Sequence, residues 1–273
     1  MSAVLVAACQ IPASVDAPDP AILAAAVREA AGRGARLVVL PELAACGYVF
    51  RDAAEARAAA EPTTGPTVTL LRELSAELGC VLVAGFAELG DDGQVHNSVA
   101  LTDGGGLVAV YRKVHLWGSE PDLFRAGDAR PAVVDTSAGR IGLLICYDLE
   151  FPEWARLAAE AGAEILAVPV NWPLLPRPAG VPALETVKAQ AAAGTYRVHV
   201  VVADRCGSER GVDWVGGSLV CGADGYLLAG PATAPGSVAG PAVLVADLDP
   251  VAARDKAVGP RNHAVHDRRP ELY

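Results

Sequence analysis

Short apolar runs alternate with longer stretches of helical spacing along this chain of 273 residues. The first run, Val4 to Cys9, reads as a buried strand, and an Ala-rich helix follows over Pro20 to Gly32. Leu37 to Leu40 is a second strand. After a loop of mixed polarity, Thr67 to Leu78 has helical spacing and Val81 to Phe86 that of a strand. His96 to Leu101 and Leu107 to Tyr111 form a hairpin pair about the turn Gly104-Gly105-Gly106. The same alternation continues with a strand at Ile141 to Ile145, a helix at Pro152 to Ala161 and a strand at Ile165 to Val170. A helix at Leu184 to Ala193 precedes a strand at His199 to Ala203. Trp214 to Cys221 and Tyr226 to Ala229 flank the turn Gly222-Ala223-Asp224-Gly225, and Val243 to Leu248 closes the regular structure. Strands and helices mixed in this order predict the α/β class, with hairpins that make the sheet partly antiparallel. Pro231 to Pro241 is rich in Gly, Pro and Ala and reads as a surface loop. Nothing within residues 1–260 resembles a linker, so they form one domain. Residues 261–273 make a polar tail, either disordered or an arm against a partner subunit.

Three of the apolar runs end in a reactive side chain. Leu37 to Leu40 leads through Pro41 to Glu42, Leu107 to Val110 leads through Tyr111 and Arg112 to Lys113, and Ile141 to Ile145 leads directly to Cys146. Where a buried strand stops, its next side chains can project into a cleft instead of the core.

Composition narrows the possibilities. The chain is 52% hydrophobic but only 5% aromatic, so its core is built mainly from Ala, Val and Leu. A formal charge of −10 argues against a general surface for nucleic acid or anionic membrane. No stretch is long and apolar enough to span a bilayer, and the first ten residues lack the basic start of a secretory leader. Six scattered cysteines without a Cys-x-x-Cys pair suit free thiols in a reducing compartment, so a cytoplasmic location is expected. His263 and His266 are three apart, but no acid or thiol is spaced to complete a metal site. No metal and no cofactor are expected.

The chemistry of a carboxylate, an ammonium and a thiol fits hydrolysis of an amide through a thioester. An amide carbon is a poor electrophile, so its cleavage needs a strong nucleophile, charge stabilisation on oxygen and a proton for the leaving nitrogen. A thiol with a pKa of about 8.5 supplies little thiolate at neutral pH and must be activated by a neighbour.

The blocks Pro41-Glu42-Leu43, Tyr111-Arg112-Lys113-Val114-His115-Leu116 and Leu144-Ile145-Cys146-Tyr147-Asp148 resemble the three signatures of the nitrilase superfamily of carbon–nitrogen hydrolases. Gln10, His96-Asn97-Ser98, Glu120 with Phe124 and Gly127, Cys206-Gly207, Gly216-Gly217-Ser218 and the Arg269-to-Tyr273 tail add to a likeness covering nearly the whole chain. The resemblance implies a four-layer αββα sandwich, a homodimer or larger homo-oligomer, and a site in which Glu42 is the base, Lys113 the oxyanion stabiliser and Cys146 the nucleophile. It also implies that Glu120 orients substrate and lysine, and that Tyr147 offers its backbone N–H to the oxyanion. Thr195-Tyr196 departs from the Glu-Asn common in the family, at a helix end away from the three blocks.

Tyr147-Asp148 after the nucleophile resembles the amidase and carbamoylase branches more than nitrilases proper. Leu149-Glu150 stands where acid-binding branches commonly carry an Arg, so Glu150 is expected to repel a substrate carboxylate and tolerate a neutral or amine-bearing chain. The expected substrate is therefore a small primary aliphatic amide, ω-amino amides included, with N-carbamoyl amines or nitriles as the alternatives. Trp117, Phe151, Trp172 and the loop Pro173 to Pro182 are the expected pocket walls, and Arg177 is the one residue there that could hold a carboxylate.

Overall fold

The computed structural model describes residues 3–233 and 240–272. Six strands form the first sheet: β1 (Val4–Gln10), β2 (Leu37–Val39), β3 (Val81–Leu89), β4 (Val95–Asp103), β5 (Gly106–Arg112) and β14 (Ala242–Leu248), in the order β14-β1-β2-β3-β4-β5. The second contains β6 (Val133–Thr136), β7 (Gly139–Leu143), β8 (Ile165–Pro169), β9 (His199–Ala203), β12 (Leu219–Cys221) and β13 (Leu227–Ala229), ordered β13-β12-β9-β8-β7-β6. Two further hairpins, β10 (Ser208–Glu209) with β11 (Val212–Asp213) and β15 (Ala257–Gly259) with β16 (Asn262–His263), stand apart. Each sheet has a parallel centre, β1-β2-β3 and β7-β8-β9, flanked by antiparallel strands.

Side-chain alternation explains the layering. In β1, Ala7 and Cys9 face helices α1 (Pro20–Gly32) and α3 (Pro66–Leu78), meeting Leu23, Val27, Val68 and Leu71 in one buried cluster. Val6 and Ala8 point the other way, into a cluster shared with Ile165, Ala167, Val200 and Val202 of the second sheet. That cluster continues to α4 (Pro152–Glu160) and α5 (Leu184–Tyr196) through Ala155, Ala158, Ala189 and Ala193, whose short side chains let both helices approach the sheet closely. The layers are therefore helix, sheet, sheet, helix. In α1 the buried positions Leu23, Ala26, Val27 and Ala30 recur at helical spacing, and Asp19 caps the start by accepting from the Ala21 N–H while Pro20 occupies the first turn.

Several expected boundaries moved. Helix α2 (Ala53–Ala59) occupies what reads as a loop; it has one buried residue, Ala56, and so no apolar stripe to announce it, although Asp52 caps it by accepting from the Glu55 N–H. Strand β6 was also hidden, because it is a short edge strand beside β7. Of the expected strand Trp214 to Cys221 only the last three residues form a strand; Trp214 makes an isolated bridge to Pro173, and Val215 to Ser218 is buried irregular backbone. Strand β7 ends at Leu143, two residues early. The polar tail is ordered against its own chain: β16 pairs with β15, and Arg268 forms an ion pair with Glu160 of α4. Residues 234–239 of the expected surface loop, and Tyr273, lie outside the described residues.

After β2 the chain keeps running beside β3. Leu40 N–H donates to the Val83 carbonyl, Gly85 N–H to the Pro41 carbonyl and Ala44 N–H to the Gly85 carbonyl. This close approach requires glycine at 85, because a Cβ there would lie 2.3 Å from the Leu43 nitrogen and 2.6 Å from the Glu42 Cα. Gly85→Ala is expected to destabilise the protein by about 1–3 kcal/mol through overpacking against backbone, measured by denaturant unfolding. It should also lower activity, because Glu42 must shift to admit the methyl.

Candidate active site

Loops at the carboxyl ends of strands from both sheets meet in one place, the position at which α/β sheets present ligand-binding groups. Glu42 follows β2, Lys113 follows β5 and Cys146 follows β7. The three apolar runs thus deliver their terminal side chains to one buried cluster, in which the charges of Glu42 and Lys113 both act on the Cys146 thiol.

At its centre the Lys113 ammonium, 1% exposed, donates to Glu42 Oε1 at 2.7 Å and to Glu120 Oε1 at 2.7 Å. Asn97 Nδ2 donates to the same two oxygens at 2.7 and 3.3 Å. The Tyr48 hydroxyl donates to Glu120 Oε1 at 2.9 Å, and the Trp117 N–H holds Glu120 Oε2 at 2.7 Å. Glu120 is thereby fixed at both oxygens. Glu42 Oε2 has no hydrogen-bond partner among the described residues and remains an open acceptor.

Electrostatics follow from burial with imbalance of charge. Burial pushes the Glu42 carboxyl up to about 7 against the pull of the Lys113 ammonium, and the Glu120 charge adds to the rise. For Lys113, burial disfavours the charge, but the two carboxylates outweigh it and hold the ammonium above its ordinary range. The Cys146 thiol is pushed well above its usual value by burial and then by the charge on Glu42. At rest the sulfur therefore carries its proton beside a carboxyl that titrates near neutrality.

Cys146 opens a tight helical turn (Cys146–Glu150) with left-handed backbone, φ 46°, a conformation that a residue with a Cβ adopts only when its surroundings hold it. Asp148 is what holds it. Its Oδ2 accepts from the Ile145 N–H at 3.1 Å and the Tyr111 hydroxyl at 2.8 Å. Its Oδ1 accepts from the His115 N–H at 3.0 Å and faces His115 Nδ1 at 2.7 Å. The turn that carries Cys146 is thus tied to the segment carrying Lys113. Phe151 stacks on the His115 ring at 3.8 Å, so it packs this support rather than the expected pocket wall.

The hollow over Cys146 is lined by Trp117, Tyr147, Glu150, Asn171, Trp172, Pro173, Leu175 and Glu185 and holds about 30 Å³. All four residues expected to bind substrate, Trp117, Tyr147, Glu150 and Trp172, reach this wall; Arg177 does not. Glu150 is ion-paired with Lys188 of α5, so much of the repulsion expected from its charge is answered inside the wall. Tyr48 and Asn171 were not singled out from sequence. Tyr48 lies in a loop without periodicity, whereas Asn171 follows the apolar run Ile165–Val170 in the same manner as the other three site residues follow theirs.

Behind Glu42 lies a second buried set. Arg205, fully buried, donates to Glu209 Oε2 at 2.6 Å and to the Leu43 carbonyl at 3.2 Å, and its guanidinium lies 5.3 Å from the centre of the Trp214 ring. Glu209 also accepts from the N–H groups of Val15, Tyr48 and Val49. Asp204 accepts from the N–H groups of Trp172, Arg205 and Gly217, while burial pushes its carboxyl up to about 7. These charges fix the Glu42 loop, the Tyr48 loop and the Trp172 wall together. Arg205→Met leaves Glu209 as an unpaired buried charge and is expected to cost roughly 3–5 kcal/mol, measured by denaturant unfolding. The variant Arg205→Met with Glu209→Gln should recover part of that loss.

Among the described residues no group of three or more His, Cys, Asp or Glu side chains is arranged to hold a metal ion, and no helix is long and apolar enough to cross a membrane. The rings of His263 and His266 stack on each other at 3.8 Å.

Comparisons with known proteins agree with this geometry. The carbon-nitrogen hydrolase family model matches residues 5–257. A protein named nitrilase from Pyrococcus abyssi is 36% identical over 251 residues, which cover 90% of this chain and 89% of that one. The N-carbamoylputrescine amidase of Arabidopsis thaliana is 32% identical over 267 residues, covering 90% of this chain and 86% of its own. Among solved structures, a variant of the amidase from Nesterenkonia sp. AN1 in complex with butyramide superposes with a TM-score of 0.76 at 28% identity, covering 98% of this chain and 95% of that one. Another form of that amidase carries the acetamide moiety of fluoroacetamide covalently on its active-site cysteine. The two mixed sheets between helices, and a cysteine, a lysine and two glutamates gathered at their strand ends, place this chain in the carbon–nitrogen hydrolase family, the amidase-like branch of the nitrilase superfamily.

Proposed function

We propose that the protein hydrolyses small primary aliphatic amides to a carboxylic acid and ammonia through a thioester on Cys146. The observation that carries this reading is the Lys113 ammonium held at 2.7 Å by each of two buried carboxylates beside the cysteine. In the proposed sequence the open Glu42 oxygen accepts the thiol proton as sulfur attacks the amide carbon. Lys113 and the Tyr147 N–H stabilise the negative oxygen of the tetrahedral intermediate. Glu42 then passes the proton to the departing nitrogen, and ammonia leaves. Water, deprotonated by the same carboxylate, cleaves the thioester and regenerates the thiol. Glu120, fixed by Trp117, Tyr48 and Asn97, keeps Lys113 directed at the oxygen.

A hollow of about 30 Å³ supports a short acyl chain. The Glu150–Lys188 pair supports a neutral chain more than a cationic one, so ω-amino amides gain less than Glu150 alone suggests. The second reading, hydrolysis of an N-carbamoyl amine, is favoured by the likeness to the Arabidopsis enzyme and would release carbon dioxide as well as ammonia. A panel of butyramide, butyronitrile and N-carbamoyl putrescine, assayed for ammonia and carbon dioxide, separates the readings. Turnover of the nitrile or the carbamoyl compound in preference to butyramide would replace the first. We also propose a homodimer, since Leu184 and Val187 of α5 and Leu272 of the tail are exposed apolar groups suited to a second copy; light scattering of the eluted protein tests it.

Cys146→Ala should abolish turnover. Lys113→Ala should lower kcat by a factor of about 10²–10³ or more, because the oxyanion loses the formal counter-charge that this ammonium supplies in a dry site. The pH profile has a worked sign: a carboxyl raised to about 7 is protonated below that pH and cannot accept the thiol proton. The rate of turnover therefore rises as pH increases through about 7. The acid limb of Cys146 alkylation by a neutral reagent should follow the same titration and vanish in Glu42→Gln.

A further inference from the structure

We propose that Asn171 is the residue that recognises the carboxamide group of the substrate, an inference that rests on the amidase reading above. A fourth apolar run, β8 with Val170, ends at Asn171 on the lip of the same hollow, and the residue lines that hollow with Cys146. Its backbone is fixed on both sides of the side chain's task. The neighbouring Trp172 N–H donates to Asp204 Oδ1 at 3.0 Å, and the Asn171 carbonyl lies 4.0 Å from Cys146 Sγ. The residue is therefore anchored beside the attacking sulfur.

The side chain is 2% exposed, yet neither its Oδ1 nor its Nδ2 has a hydrogen-bond partner among the described residues. Buried amides in folded proteins are almost always paired, because an unpaired one forgoes the bonds it would make with water. The hollow that Asn171 lines is walled by the apolar surfaces of Trp117, Trp172, Pro173 and Leu175 together with Tyr147, Glu150 and Glu185, none of which pairs with the Asn171 amide. Glu42 Oε2, another unpartnered polar atom of the site, can only accept while ionised, whereas Asn171 offers an acceptor and a donor together. A carboxamide has the matching pair: N–H groups for Oδ1 and a carbonyl oxygen for Nδ2. A nitrile has no N–H and lacks half of that complement. Sites whose polar groups are satisfied only by the right ligand discriminate strongly against analogues that lack the partner atom.

The test compares modification of Cys146 by acrylamide and by acrylonitrile, two electrophiles of the same reach that differ in the carboxamide. Adducts are timed by mass spectrometry in the wild-type protein, in Asn171→Leu and in Asn171→Ala, and unfolding temperatures are recorded for all three. Asn171→Leu should slow acrylamide addition at least 10-fold and acrylonitrile addition less than 3-fold, with an unfolding temperature at or above that of the wild type. A residue serving only the fold would instead lower the unfolding temperature and slow both reagents alike. If the leucine variant does not fold, the alanine variant is held to the same ratio. Equal slowing of both reagents, or unchanged rates with both, overturns the assignment of Asn171 while wild-type hydrolysis of butyramide leaves the amidase reading standing. A wild-type protein that neither hydrolyses butyramide nor forms the acrylamide adduct overturns both.

Discussion

A buried ammonium between two carboxylates is the interaction on which this structure depends. An isolated charge in the interior is strongly disfavoured, so Lys113 can lie at 1% exposure only because Glu42 and Glu120 both reach it. Burial is the main cause that raises Glu42 toward neutrality and keeps the nearby thiol protonated, and the charge of a neighbouring carboxylate adds to each rise. The same arrangement that makes the cluster tolerable in the interior leaves a carboxyl that titrates near neutrality beside the Cys146 thiol.

The cluster in turn dictates much of the surrounding architecture. Glu42, Lys113 and Cys146 come from three separate loops, and each loop is tied down by a different polar anchor. Arg205 and Glu209 fix the loop after β2, the two oxygens of Asp148 join the segments around Lys113 and Cys146, and Asp204 fixes the wall at Trp172. These anchors are themselves buried; the carboxylates accept mostly from backbone N–H groups, and Arg205 donates to Glu209 and to the Leu43 carbonyl. They set backbone position, so a small displacement at one of them would reach the reacting atoms through a single loop. The left-handed backbone at Cys146 and the glycine at 85 belong to the same logic: both let a loop come closer than an ordinary residue in an ordinary conformation would allow.

Family membership and pocket chemistry address different levels of the function. The whole-chain match and the shared fold assign carbon–nitrogen bond hydrolysis of the amidase type. In the reading proposed above, choice among amides, carbamoyl amines and nitriles falls to the wall, where Glu150 is answered by Lys188 and the Asn171 side chain has no partner among the described residues.

Much of the molecule was legible from sequence because burial writes itself into patterns. Strands β1, β3, β4, β8 and β9 are continuous apolar or alternating runs, and α1 and α3 repeat apolar residues at helical spacing, so their existence and type follow from which positions avoid water. Three local blocks were enough to single out Glu42, Lys113 and Cys146. Helix α2 and strand β6 escaped because each buries too little to impose a period. Sequence by itself determined which side chains sit at the ends of buried strands. Only the tertiary structure decided which of those ends come together, that Lys188 answers Glu150, and that Arg205 and Asp148 position the loops. Pairings between residues 33 to 163 positions apart depend on how sheets stack and loops cross, and no local period encodes them.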